Sequence, residues 1–245
     1  MFFKVFFNKL FNDPVYIINL MIVTENVSFM ERAIKTRMGK YLNDVELAFI
    51  AKSVDFSRFK LVLDVGAESG RLSFLVIDNK TDVVNIDIDR GSLIRCKQRL
   101  VHACVIMADA RCLPFIDGVF DAAFMLEVLD YIPKLDIPLS ECSRVLKAGS
   151  DCVLTFGNKS SFKGKVKGLK GNSYLHSYDG AVQDLSKVGF CLGAQLGFNW
   201  LPFGRTSQNR LIPLFVWFER FLGLRSLRKY SPWILFHVVK QSIST

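Results

Sequence analysis

The sequence predicts an α/β fold: a mostly parallel sheet of seven strands with helices on both faces. Three observations lead there. Between residues 60 and 157, five short apolar runs alternate with helix-like segments, and the runs are almost continuously apolar, as strands covered on both faces must be. The first run passes through an acid into a glycine turn, "VLDVGAESGRLSF" at 62–74, the outline of a loop that presents backbone and a helix start to a nucleotide-like ligand. Two further strand-like runs follow the lysine-rich stretch near residue 165.

Taken in order, "KLVLDVG" (60–66) reads as the first buried strand and "RLSFLVIDN" (71–79) as a short helix beginning near Gly70. "DVVNIDI" (82–88) is the second strand, "RGSLIRCKQRL" (90–100) a helix, "ACVIMAD" (103–109) the third strand and "FDAAFML" (120–126) the fourth. In "PLSECSRVLKAGS" (138–150), Leu139, Cys142, Val145 and Leu146 share a helical face, Lys147 falls in the last turn and Gly149 closes it, the pattern of a helix with a glycine stop. "DCVLTFG" (151–157) is the fifth strand. "YDGAVQDLSKVGF" (178–190) is an amphipathic helix with Asp179 as its expected cap and Gly189 as its stop, and "CLGAQLGFNW" and "WILFHVV" are the last two strands. The first 55 residues lack strand signals and are expected to be a helical cap, with 56–245 as the main domain. Residues 202–230 are a basic, aromatic insertion in which Leu214, Trp217, Phe218, Phe221 and Leu222 fall on one helical face.

The chain has 245 residues, half of them hydrophobic, enough for one good core. Its six cysteines show no paired spacing, which suits reduced, packed thiols and gives no reason to expect a metal. The net charge of +9 is clustered. Lys159, Lys163, Lys165, Lys167 and Lys170 crowd the 158–180 loop, and Arg205, Arg210, Arg220, Arg225, Arg228 and Lys229 meet only Glu219 as an acid. Such clusters attract phosphate, acidic lipid or nucleic acid, or form a solvated loop. The N-terminal "MFFKVFFNKLF" is interrupted by Lys4 and Lys9, and the run Val15–Val23 is shorter than the roughly 20 apolar residues a span requires. These flanks pair aromatics with cations, which fits either an interfacial surface or a lid over a soluble substrate.

Within the loop, Gly66 and Gly70 permit close backbone approach, and Asp87 in "VVNIDIDR" stands where an acid about 20 residues on accepts from ribose hydroxyls. These residues, with "VVNIDIDRGSL", "MADARCLPFIDGVFDAAFMLEVLDYIP" and "LSECSRVLKAGSDCVLT" in order behind them, resemble the class I methyltransferases that use S-adenosylmethionine. The closest likeness is to the branch with an acid, a turn and Leu-Pro-Phe. The resemblance covers about residues 58–157 and implies a Rossmann-like fold and S-adenosylmethionine as cofactor. It implies that Asp64 and Gly66 border the methionine part, that Gly70 lets the helix pack close, and that Asp87, with Ile88 beside it, takes the ribose. Asp109 would accept from the adenine amino group, Ala110 would give backbone contact, and Glu127 would lie where the methyl faces the acceptor.

Glu68 departs from the pattern, standing where such loops most often carry glycine. A positive φ there strains a residue with a side chain by roughly 1–2 kcal/mol. Its carboxylate repels the cofactor's carboxylate or attracts its amino or sulfonium group, depending on placement. The expectation is a tolerated, cofactor-lining residue.

For the acceptor, the absence of Asn/Asp-Pro-Pro-Tyr after the fourth strand argues against amino-group methylation of adenine or glutamine. Asp130 and Tyr131 occupy the place of the Glu-His pair of quinone-pathway relatives. The candidate catalytic residues are therefore Tyr131, for acceptor contact, and His176 in "YLHSYDG", as general base or as a loop-supporting hydrogen-bonder. His102 and His237 are read as scaffold. The expected function is methyl transfer to a small-molecule, glycan or lipid-like acceptor by a cytoplasmic protein that also meets a membrane surface and does not bind nucleic acid. An RNA methyltransferase and a non-catalytic binding protein on the same fold are the competing readings.

Overall fold

In a computed structural model of the chain, residues 27–76, 81–101, 103–168 and 174–242 are described. The expectations for the N-terminal aromatic segment, His102 and Lys170 lie outside those residues. A seven-stranded sheet organises the molecule, in the order β3-β2-β1-β4-β5-β7-β6. Its strands are β1 (Leu61–Val65), β2 (Asp82–Asp87), β3 (Cys104–Met107), β4 (Phe120–Met125), β5 (Leu146–Gly157), β6 (Phe190–Phe198) and β7 (Trp233–Lys240). The first five run parallel, and β7 lies antiparallel between β5 and β6. Strand order reverses at β1, between β2 and β4, and beyond the carboxyl ends of strands at such a point an open sheet leaves a crevice.

Alternation along β1 divides the core. Leu61, Leu63 and Val65 face a cluster closed by α5 (Asp136–Val145) and α7 (Tyr178–Lys187), through Leu139, Cys142 and Leu185. Val62 faces the other cluster, closed by α2 (Arg37–Ser53) and α8 (Ile212–Phe221), through Met38, Leu42, Ile50 and Ile212. A short α1 (Phe29–Ile34) precedes α2, with a capping box in which Ser28 and Glu31 satisfy each other's backbone N–H. The remaining helices are α3 (Ser73–Val76), α4 (Arg90–Arg99) and α6 (Phe162–Gly168).

Four local expectations are corrected. Helix α3 begins at Ser73, not near Gly70, because residues 66–72 form the turn that returns the chain from the sheet. Helix α5 stops at Val145, so Leu146 and Lys147 belong to β5, and Gly149 (φ +77°) lies inside that strand where its register with β4 shifts. Helix α7 is capped by Ser177, whose hydroxyl accepts from the Gly180 N–H, while Asp179 pairs with Lys229. Lys163 is also no solvated charge: its ammonium is bound to Asn199 Oδ1 (3.1 Å) and the carbonyls of Asn199 (2.8 Å) and Leu201.

Phe124, fully buried in β4 and stacked on Phe56 at 6.2 Å, fills the layer under α2. Phe124→Ala is expected to lower the unfolding free energy by about 3–5 kcal/mol, read as a lower denaturation midpoint with an unchanged slope.

Candidate functional site

A cavity of about 580 Å³ opens where β1, β2 and β4 end. Its floor is the turn after β1. Gly66 (φ +72°) and Ala67 both donate to the Ile86 carbonyl at 2.9 Å, so the turn lies flat on β2. A Cβ on Gly66 would meet the Val128 side chain at 2.8 Å, and one on Gly70 (φ +80°) would meet Cys96 Sγ and Leu100 at 2.8 Å. The turn therefore requires glycine at both places, for conformation and for space.

Glu68 holds the strained position, at φ +49°. Its N–H donates to Asp87 Oδ2 (3.0 Å), and the other oxygen of Asp87 accepts from the Asp89 N–H (2.9 Å). The Glu68 side chain hydrogen-bonds Ser28 at the cap of α1, and burial raises its pKa. The glutamate thus does what glycine could not: it ties the cofactor-type loop to the helix above it. A second tie runs from Glu31 to Arg99, which also reaches Ser69 (3.4 Å). Phe29 and Met30 of α1 line the cavity in consequence.

Most of the residues singled out in the sequence converge here. Asp64, Gly66, Glu68, Asp87, Ile88, Asp109, Ala110, Glu127 and Tyr131 all line the cavity. Gly70 lies behind it, packed on α4. His176 is not among the lining residues: its backbone bridges Asn158 and its Nε2 faces the Leu129 carbonyl at 3.1 Å. That contact holds the turn that carries Tyr131 and leaves the ring away from the cavity. Asp109 is clasped at both oxygens by Arg111 (2.6 to 3.1 Å), which holds its carboxyl below the usual range. Since Arg111 is exposed, this clasp can open toward solvent. Asp130, the neighbour of Tyr131, accepts from the Gly157 N–H at 2.6 Å and serves the end of β5.

Sequence reasoning missed the charged network beneath. Arg71 donates to Glu46 Oε2 (2.6 Å) and Asn43 Oδ1 (3.0 Å), and its other amino group stands 3.9 Å from Glu127. Glu127, itself at φ +60°, is held by Thr155 at its N–H (2.7 Å) and by Arg205 at its carboxylate. Arg205 in turn lies over the Trp233 ring at 4.7 Å. One signal was available: Glu46 interrupts the apolar stripe Leu42–Glu46–Ile50 of α2, and a charge in a stripe marks a buried partner.

Residues 63–154 match the family model described as "Methyltransferase domain". Over that stretch the chain is similar to a methyltransferase domain. Among curated proteins it is similar to a demethylmenaquinone methyltransferase of Beutenbergia cavernae, 34% identical over 93 residues, covering 38% of this chain and 39% of that protein. It is also similar to a sterol 4-C-methyltransferase of Caenorhabditis elegans, 28% identical over 118 residues and covering 43% and 33%. The chain thus spans less than half the length of either of these two relatives. Among solved structures, a geranyl diphosphate methyltransferase in complex with SAM superposes with a TM-score of 0.61 at 13% identity, covering 87% of this chain and 91% of that one. That likeness shows the fold.

Asp64 and Glu46 are fully enclosed, and burial pushes each carboxyl up to about 7 against the opposing pull of Arg71. For an acid whose folded pKa exceeds its unfolded value, the stabilising contribution is complete below about pH 4 and is lost as pH rises through about 7. Between pH 5 and pH 8, Asp64 alone accounts for a loss on the order of 2 kcal/mol. Melting curves across that window are expected to show this fall, and Asp64→Asn to remove the Asp64 share while the Glu46 share remains.

Proposed function

We propose that the chain transfers a methyl group from S-adenosylmethionine to a small, lipid-like acceptor. The observation that carries this reading is the convergence of Asp64, Asp87 and Asp109 on one cavity, at the ends of three adjacent strands, around a turn that needs glycine at both ends. The cofactor would supply an activated methyl on a sulfonium, and the residues present fit it. Asp87, already positioned by two backbone N–H groups, keeps lone pairs for ribose hydroxyls. Asp109 and the backbone at Ala110 would take the adenine. Asp64, poised near neutrality, gains from a nearby cation, which favours its ionised form.

On the acceptor side, Phe29, Met30, Ile132, Pro133, Tyr131 and Tyr174 give an apolar wall, which suits a hydrophobic acceptor. The Tyr131 phenol is raised above its ordinary value, by shielding and then by Glu127, so at neutral pH it stays protonated and donates a hydrogen bond rather than taking a proton. Glu127 presents hydrogen-bond-accepting oxygens toward the same mouth, and Arg205 and Arg71 fix their direction. The rest of the catalysis is alignment: an in-line displacement chiefly needs donor and nucleophile held at contact. His176 acts through the turn it supports. The curated relatives named for quinone and sterol substrates point to the same class of acceptor. No described helix is long and apolar enough to cross a membrane. We read the chain as cytoplasmic, meeting a membrane at its surface, with no nucleic acid among its partners.

Calorimetry with S-adenosylmethionine tests the reading. The native chain is expected to bind, and Asp87→Ala to weaken binding by about 1–3 kcal/mol through lost charge-assisted hydrogen bonds. Absence of heat at millimolar cofactor would leave the fold as a binding scaffold of another kind.

A further inference from the structure

Helix α8 is held in a fixed rotation by a buried charge. Glu219 is 1% exposed, and its carboxylate accepts from the Tyr41 hydroxyl (2.6 Å), Arg225 Nε (2.9 Å) and the Trp200 N–H (3.3 Å). Turning the helix would strip that carboxylate of its partners, at a cost that no exposed apolar residue could offset. Ile212, Phe215 and Val216 share the inward face with Glu219 and pack on the α2 cluster.

The opposite face is apolar and, among the described residues, uncovered. Leu214, Trp217, Phe218, Phe221 and Leu222 are between 43% and 71% exposed. Trp217 stacks on Phe221 (4.9 Å, 10°) and meets Phe218 edge-on at 5.0 Å, so the three rings form one plate. The sequence placed these side chains on one face, and the structure shows that face turned outward. Surface apolar residues scattered singly are ordinary, whereas a contiguous plate locked outward marks a contact.

Charge decides between the partners. Arg210, Arg220 and Arg228 are exposed and have no acidic partner among the described residues. The single acid of residues 202–230 is Glu219, already buried and paired. Seating a second copy on this face would bring cations against cations with no carboxylate between them. Anionic headgroups complement the arginines, and the acyl boundary takes the ring plate.

We propose that the outward face of α8 is a docking surface for an anionic lipid bilayer. It lies in the interface with the rings below the headgroups and Arg220, at the border of the apolar face, among the phosphates. This rests on the membrane-contact reading above and assigns the surface that makes the contact.

Co-sedimentation of the full chain with vesicles tests it, comparing phosphatidylglycerol–phosphatidylcholine with phosphatidylcholine alone. The native chain is expected to partition onto the anionic vesicles and to be released by salt. The double substitution Trp217→Ser with Phe221→Ser is expected to weaken partitioning at least tenfold, with the circular dichroism spectrum and the heat of S-adenosylmethionine binding unchanged. Arg220→Gln with Arg228→Gln is expected to weaken it about tenfold and to reduce its salt dependence. Equal partitioning of the Trp217/Phe221 variant would overturn the assignment while leaving membrane contact in place elsewhere on the chain. Failure of the native chain to sediment with either vesicle would overturn both. A native dimer that the variant converts to monomer, without lipid binding, would make the face a seam between copies and likewise overturn the proposal.

Discussion

The guanidinium of Arg71 joins the parts from which the cavity is made. It reaches Glu46 and Asn43 on α2, faces Glu127 at the end of β4, and acts on the enclosed Asp64 at the end of β1. Without it, Glu46 would be a carboxylate at 0% exposure with no cation in contact, and leaving one member of a buried pair alone costs about 3–5 kcal/mol. The network is therefore best seen as a constraint on geometry. It fixes where α2, β1 and β4 stand relative to each other, and the cavity between them inherits that precision.

The same reasoning accounts for Glu68. A glycine would relieve roughly 1–2 kcal/mol of left-handed strain but would remove the direct tie from the loop to α1, leaving the one through Arg99. As a glutamate, the residue keeps the turn, through its N–H to Asp87, and gains the contact with Ser28. The wall formed by Phe29 and Met30 depends on α1 staying over the loop, so the departure from glycine helps to shape the apolar side of the cavity. A strained residue held by its surroundings beside a site is the common pattern for such outliers.

Much of this was legible in the sequence, and what was not has identifiable causes. The five parallel strands announce themselves by continuous apolarity, and Asp87 follows from its place at the end of the second strand, whereas Asp64, Asp109 and Glu127 were legible only through the resemblance to class I methyltransferases. The antiparallel insertion of β7 between β5 and β6 could not be read, because a buried strand carries no mark of its direction. Ser177 displaced Asp179 as the cap of α7 because the helix starts two residues earlier than that cap requires, and Asp179 found Lys229 instead. Lys163 looked like part of a solvated cluster until Asn199 and Leu201 proved to fold back onto it. Arg71 and Arg205 lay in plain view, one in the glycine turn and one in the basic segment. Their partners are 25 and 78 residues away in the chain (71 − 46 and 205 − 127), and pairing at that range is set by the fold, not by spacing.

Helix α2 links the two functional surfaces. It contributes Glu46 to the Arg71 network on the cavity side and Tyr41 to the buried Glu219 that sets the rotation of α8. The Tyr41 phenol is pushed well above its ordinary value, by burial first and then by Glu219, so it remains a proton donor throughout the physiological range and the tie does not loosen with pH. A helix carrying both anchors cannot tilt for one without moving the other, since packed interiors transmit displacement rather than absorb it. The orientation of the aromatic plate and the placement of the Arg71 network beneath the cavity are therefore tied to one rigid element. That is the physical basis on which the proposed contact at α8 and the proposed chemistry of the cavity are mechanically linked.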